Sequence, residues 1–237
     1  MDQKKLSLQP RLQMLANLVP QGTVIADIGT DHGYLPVWLL QEGRIKRAIA
    51  SDINARPLDH ARQTAAEYGV DGQIEFRLCS GLDCYTPGEA DTIVIAGMGG
   101  ETIVSILESA PWTRRAYLLL QPMTKTEYLR TWLADKGYSF TAEQLVFDKD
   151  FLYPILCVTG GESRALTEAE AYGGVLLDQD PLWGQYLDQQ IKRVRIKIDG
   201  LASSGKDSAL PQIYQLEALY AALAARKEKA NEHGTRN

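Results

Sequence analysis

The chain has 237 residues, 45% hydrophobic and 23% charged, ordinary proportions for a soluble fold, and these exclude a disordered, collagenous or membrane-spanning chain. That length fits one large domain or a domain with an appendage. Lys and Arg number 25 against 30 Asp and Glu, a net charge of −5, so the protein is no basic nucleic-acid coat, and any nucleic-acid contact must come from local patches.

Along the chain, 6–18 reads as a helix ahead of the first strand. Strands follow at 23–28, 47–52, 74–78 and 91–96, each an apolar run rich in β-branched residues and closed by a turn or polar cluster. Helical patterns at 33–42, 55–68 and 100–108 lie among them, and a strand at 116–121, a helix at 126–136 and strands at 140–148 and 151–159 complete this part. Such alternation implies βαβ units, a mostly parallel sheet and right-handed crossovers. The last two strands, joined by Asp148-Lys149-Asp150, read as an antiparallel hairpin. Gly160-Gly161 then marks a shift to helical spacing, dividing a sheet domain over 1–160 from a helical domain over 161–237. A short helix at 167–177 precedes two long ones, carried by Leu187, Ile191, Val194, Ile198 and Leu201 and by Ile213, Leu216, Leu219, Tyr220 and Leu223. The loop 203–208 separates the two, and Pro211 suits the first turn of the second, so they fold back as an antiparallel pair.

The chemistry concentrates at the strand ends. Asp27-Ile28-Gly29-Thr30-Asp31-His32-Gly33 leaves the first strand for a helix, and glycines there let backbone amides approach a ligand while the helix start offers oriented N–H donors. The second strand ends in Asp52-Ile53-Asn54, where doubly wound proteins place the acid that binds an adenosine ribose. The turn is not the G-x-G-x-x-G of dinucleotide enzymes. It follows the acid-x-G-x-G-x-G of class I S-adenosylmethionine-dependent methyltransferases, with Asp31 at the middle glycine. The third strand closes on Ser80-Gly81-Leu82-Asp83 and the fourth on Ala96-Gly97-Met98-Gly99-Gly100, so four strand ends meet in one crevice. Alternatives stand beside these readings: a plain βα turn, a tight glycine turn at Gly97, and Met98 as core filler.

Cys79, Cys84 and Cys157 are odd in number and form no C-x-x-C pair, which points to free thiols in a reducing compartment and away from a disulfide scaffold or a metal site. The first residues lack the apolar core of a signal peptide, and no run of about 18 apolar residues occurs. A cytoplasmic, monomeric protein without a membrane or metal partner is expected.

The segments ADIGTDHGYLP (26–36), IVIAGMGGETI (93–103), LLLQPM (118–123), LRTWL (129–133) and FLYPI (151–155) together resemble the bacterial tRNA (adenine(22)-N(1))-methyltransferases, the TrmK family. The resemblance runs in order from about residue 8 to 159, and the tail matches in character. It implies an α/β fold, a Rossmann-like seven-stranded class I methyltransferase sheet with a C-terminal helical domain, S-adenosylmethionine as cofactor, and methylation of adenine ring nitrogen 1 in tRNA, with the tail helping to hold the RNA. Cofactor contacts are then expected from Asp27, Gly29, Thr30, Asp31, His32, Gly33, Asp52, Ile53, Asn54, Ser80, Gly81, Leu82, Ala96, Gly97 and Met98. The adenine contact is left open among Ser80, Asp83 and backbone groups.

A neutral adenine nitrogen already carries an in-plane lone pair, so methyl transfer to it rests on positioning and electrostatics and needs no strong base. Asp31 is the candidate to accept from the exocyclic amine or place the donor, against a role as helix cap, and Tyr34 is the candidate to stack on the target base, against packing. Phosphate contacts are expected from Lys192, Arg193, Arg195 and Lys197 in the tail, and from Arg11, Arg44, Lys46 and Arg47 near the sheet; a solvated face is the alternative. Residues 1–160 carry 15 cations and 19 anions and residues 161–237 carry 10 and 11, so RNA binding depends on uneven placement of charge. Rival readings are a methyltransferase for another RNA, a protein or a small molecule, and a non-catalytic binding module on the same fold.

Overall fold

The computed structural model describes residues 5–203 and 207–234. Its sheet has seven strands in the order β3-β2-β1-β4-β5-β7-β6, built from β1 (Val24–Ile28), β2 (Arg47–Asp52), β3 (Ile74–Leu78), β4 (Thr92–Gly99), β5 (Tyr117–Thr124), β6 (Tyr138–Asp148) and β7 (Phe151–Gly160). The first five strands are parallel and β7 runs antiparallel to both its neighbours, as the sequence pattern and the turn at Lys149, with φ 55, require. The order reverses between β2, β1 and β4. That switch point opens a crevice at the carboxyl ends of β1 and β4.

Helices α1 (Pro10–Leu18), α2 (Tyr34–Gln41) and α3 (Ala55–Glu67) cover one face of the sheet, and α4 (Gly100–Ser109) and α5 (Thr126–Asp135) cover the other. The helix α1 starts four residues later than its apolar pattern, because Pro10 is suited to a first turn and nothing earlier caps it. The segment YLPVWLLQ of α2 is apolar almost all round, and Leu35, Pro36, Val37, Leu39 and Leu40 are buried, so α2 is a core helix seated under the first strand's turn. Both β4 and β5 run three residues beyond their apolar runs, past a register irregularity around Gly97, whose φ of 79 suits only glycine.

In the tail, α6 (Glu168–Gly173) is opened by a capping box between Thr167 and Glu170. It stops short of residue 177 because Gly174 turns the chain at φ 100. The long helices α7 (Trp183–Ser203) and α8 (Leu210–Gly234) pack on each other, and residues 204–206 of the predicted loop between them lie outside the described residues. A third apolar cluster joins Leu145 and Leu152 of the β6–β7 hairpin to Tyr172, Trp183, Leu187, Val194, Leu219 and Leu223. An ion pair backs it: Arg130 donates from Nε to Glu143 at 2.7 Å, both side chains fully buried, and from Nη1 to the Ala171 carbonyl at 2.8 Å. The other oxygen of Glu143 accepts from the backbone N–H groups of Val175 and Leu176.

One expectation is corrected. Cys79 and Cys84 are joined as a disulfide, because the turn through Ser80–Asp83 folds the chain back until their Cα atoms stand 6.0 Å apart, within disulfide range. Cys157 is a buried free thiol.

Candidate active site

The crevice at the switch point is a cavity of about 350 Å³. The turn after β1 lines it with Asp27, Gly29, Thr30, Asp31 and His32, the start of α2 with Tyr34 and Leu35, β2 with Asp52, the end of β4 with Ala96, Gly97 and Met98, β5 with Met123, and α1 with Arg11 and Leu12. Gly29 has φ 73, a conformation that favours glycine, and a Cβ there would displace the end of the Met98 side chain into the cavity wall. Asp31 takes φ 51, the left-handed conformation for which the motif ordinarily uses glycine; an aspartate is among the few residues that tolerate it. The N-cap of α2 is Gly33, two residues on, so the cap assigned to Asp31 as its alternative role belongs to a residue without a side chain.

The polar groups are ordered by short bonds. Asp27 is buried and accepts from the Thr30 hydroxyl at 2.6 Å. Burial pushes its carboxyl up to about 6, the Thr30 bond pulls against this and the charge of Asp52 adds to it. Asp52 accepts from the Asn54 N–H at 2.8 Å. The Asp31 side chain is 72% exposed at the rim, 3.7 Å from His32 Nε2. The His32 ring lies between Tyr34 and His60, with centroids 5.2 and 5.0 Å away and planes within 10°, so three rings from two helices and a turn form one column beside the cavity.

On the far wall, buried Gln121 accepts from the Gly97 N–H at 3.1 Å and from Arg11 Nη1 at 2.8 Å, fixing the bulge of β4. Arg11 Nε stands 3.4 Å from Asp148 and is buried without completing a hydrogen bond. Three carboxylates and one guanidinium thus face a common space.

Residues 8–156 match the family model of a methyltransferase domain. The tRNA (adenine(22)-N(1))-methyltransferase of Bacillus subtilis (strain 168) is 34% identical over 195 residues, 81% of this chain and 80% of that one. The chain belongs to this methyltransferase family. Solved structures agree along nearly the whole length. The B. subtilis m1A22 tRNA methyltransferase TrmK is 29% identical at a TM-score of 0.78, covering 97% of this chain and 100% of that one. M. capricolum TrmK in complex with S-adenosyl-homocysteine is 26% identical at 0.80, covering 94% and 99%. A Streptococcus agalactiae protein of the NADB-Rossmann superfamily is 31% identical at 0.84, covering 94% and 98%. The Rossmann-like seven-stranded methyltransferase fold expected from the sequence is therefore the fold found.

Of the residues singled out by motif in this methyltransferase, Asp27, Gly29, Thr30, Asp31, His32, Tyr34, Asp52, Ala96, Gly97 and Met98 share the cavity. Gly33 lies behind it against Ala61, Gly81 packs over Ile106 and Leu82 is core. Ile53 and Leu78, 64% and 61% exposed, leave an apolar strip at the ends of β2 and β3, beside Asn54 and Ser80. Sequence reading missed Leu12, Leu35, His60, Gln121 and Met123, and it put Arg11 with the phosphate contacts. Leu35 lies in ADIGTDHGYLP and Gln121 and Met123 in LLLQPM, whereas Leu12 and His60 belong to no motif segment.

The cations predicted for phosphate are dispersed. Arg44 donates to the Val19 carbonyl at 3.2 Å, and Arg47 pairs with Glu75 at 3.9 Å. Both, with Lys46, lie at the amino end of β2, the end of the sheet opposite the cavity. Arg195 sits 4.6 Å over the Tyr220 ring, and Lys197 donates to the Tyr172 hydroxyl at 3.0 Å. Lys192 and Arg193 face the sheet domain across a cleft. No helix among the described residues is long and apolar enough to cross a membrane.

Proposed function

We propose that this chain transfers methyl from S-adenosylmethionine to ring nitrogen 1 of the adenine at position 22 of tRNA, in the cytoplasm where tRNA is the substrate. The observation that carries this reading is the cavity, in which the Gly29 turn, Asp52 and the Gly97 bulge converge beside a buried carboxylate and a single guanidinium. When bound, S-adenosylmethionine supplies a methyl group already activated on a sulfonium.

The residues suit a ligand of mixed charge. Asp52 accepts from a ribose hydroxyl, as the acid at this strand end does in doubly wound folds. Gly29 and Gly97, lacking side chains, let a ligand lie close to the backbone, while the N–H groups of Gly29 and Thr30 are held by the Ser51 carbonyl and that of Gly97 by Gln121. Asp27, paired with Thr30, faces a cationic amine, and Arg11, the only permanent cation among the described residues lining the cavity, holds the amino-acid carboxylate. Asp31, solvated at the rim, accepts from the exocyclic amine of the target adenine, and Tyr34, 39% exposed at the end of the ring column, is the surface against which that base stacks. A carboxylate beside the developing adenine cation lowers the barrier in a cavity walled by Met98, Leu35 and Met123. The helical tail over 161–237 carries the rest of the RNA.

The test is methyl transfer to unmodified tRNA, set against tRNA with guanine at position 22. Transfer to the first and none to the second is expected, and equal transfer to both would refute the position. Calorimetry with S-adenosyl-homocysteine and with 5′-methylthioadenosine, which lacks the amino-acid moiety, tests the cofactor assignment. Arg11→Gln weakens only the former; equal weakening of both would return Arg11 to a structural role.

A further inference from the structure

A second cleft, of about 450 Å³, opens beside the first between the end of β5, the start of β7 and one face of α7. Met123 lines both, so the two spaces adjoin at its side chain. In a chain with 30 acidic residues, this cleft has none in its lining: its walls are Met123, Phe151, Tyr153 and Ile196, with Lys192 and Arg193 among the polar groups. Phe151 is 55% exposed and Ile196 61%, so two large apolar side chains stand open to solvent in one cleft.

The walls are held in place. Gln189 of α7 exchanges two hydrogen bonds with the backbone of Leu152, N–H to Oε1 and Nε2 to the carbonyl, each 3.1 Å, which pins the helix to the strand as a neighbouring strand would. Arg193 donates to Gln190 at 2.8 Å and pairs with Glu127 at 3.8 Å, just outside the lining. Among the described residues Lys192 forms no ion pair, and it is the exposed cation of the cleft. Phe151 and Tyr153 stand with ring centroids 6.4 Å apart and tilted by 56°, leaving faces of two rings at the cleft.

We propose that this cleft seats an unstacked nucleotide of the RNA substrate adjoining the methylated base, its base on Phe151 and its phosphate at Lys192. The inference rests on the tRNA-methyltransferase reading and deepens it by giving the flanking strand a place. Aromatic side chains take single-stranded bases regardless of sequence, with about 1–3 kcal/mol per base lost on truncation. A cleft lined by rings and cations, with Lys192 unpaired and the nearby Glu127 carboxylate taken up by Arg193, selects a polyanion with planar bases over a polypeptide of average charge.

The experiment compares wild type with Phe151→Leu, Phe151→Trp and Lys192→Gln in tRNA affinity, in KM and kcat for tRNA, and in affinity for S-adenosyl-homocysteine. Phe151→Leu weakens tRNA binding about 5- to 150-fold and raises KM with little change in kcat. Phe151→Trp, which restores a stacking face, stays near wild type. Lys192→Gln flattens the dependence of log affinity on log salt by about 0.7–0.9. Cofactor-product affinity stays constant in all three. Unchanged tRNA affinity in Phe151→Leu overturns the proposal and leaves the cleft to a polypeptide or small molecule. A tryptophan variant as weak as the leucine variant overturns stacking, and parallel loss of S-adenosyl-homocysteine affinity means a structural role. A wild-type chain that binds S-adenosyl-homocysteine but neither binds nor methylates tRNA overturns the functional reading, and the cleft's occupant with it.

Discussion

Asp27 shows what a buried carboxylate costs a protein before its ligand arrives. Its folded-state value of about 6 lies above the ordinary 3.8, so ionisation is harder in the folded chain than in the unfolded one. The unliganded protein is therefore relieved of this penalty below about pH 3.8, loses stability as pH rises through about 6, and bears the full cost above it. A shift of this size corresponds to about 3 kcal/mol, and Asn at the same position still accepts from Thr30. We expect Asp27→Asn to stabilise the unliganded protein at pH 7.5 by up to about 3 kcal/mol in denaturant unfolding, with the gain vanishing near pH 4. The same variant loses affinity for S-adenosyl-homocysteine, since a neutral amide no longer pairs with the amine. A variant no more stable than wild type at pH 7.5 would show that Asp27 is not held against its own ionisation. Asp31 contrasts with it, strained in backbone and solvated in side chain, and its identity at a glycine position was visible in the motif. Arg11 was visible only as a charge, because what gives it a role is Gln121, 110 residues away.

At the scale of elements, the strands were legible because each apolar run is β-branched and ends in a turn. Their overshoot in β4 and β5 was not, since Gly97 and Pro122 read locally as breakers, and the pairing resumes past them only because Gly97 is taken up as the bulge and Pro122 stands opposite Met98. The docking of the tail was equally hidden. Arg130 lies on a helix and Glu143 on a strand, each unremarkable in its own pattern, and only the fold makes them a pair with no exposed surface. Breaking such a pair from one side leaves a charge without compensation, at about 3–5 kcal/mol. Glu143→Gln should therefore lower the urea midpoint by an amount equivalent to about 3–5 kcal/mol. The affinity for S-adenosyl-homocysteine stays the same where the chain is folded, because the pair lies outside the cavity. A midpoint near that of wild type would mean that the apolar cluster around Trp183 and Leu187 holds the tail unaided.

For the whole molecule, a net charge of −5 sets attraction to tRNA against a general repulsion, and what decides is where the cations stand. Successive residues of a helix are about 100° apart, so Lys192, Arg193, Arg195 and Lys197 do not form a single rail. The first two face the cleft, and the others cover Tyr220 and Tyr172. Lys46 and Arg47 stand at the amino end of β2, a strand of six residues, on the side of the sheet from which no ligand approaches the cavity. Each phosphate neutralised adds about 0.7–0.9 to the slope of log affinity against log salt. Replacing Lys192 and Arg193 together by Gln should thus reduce the slope by up to about 2, whereas the pair Lys46→Gln and Arg47→Gln leaves it unchanged, although both exchanges make the chain more acidic by the same amount. Equal effects from the two pairs would mean that tRNA responds to net charge alone, and the uneven surface would then have no part in recognition.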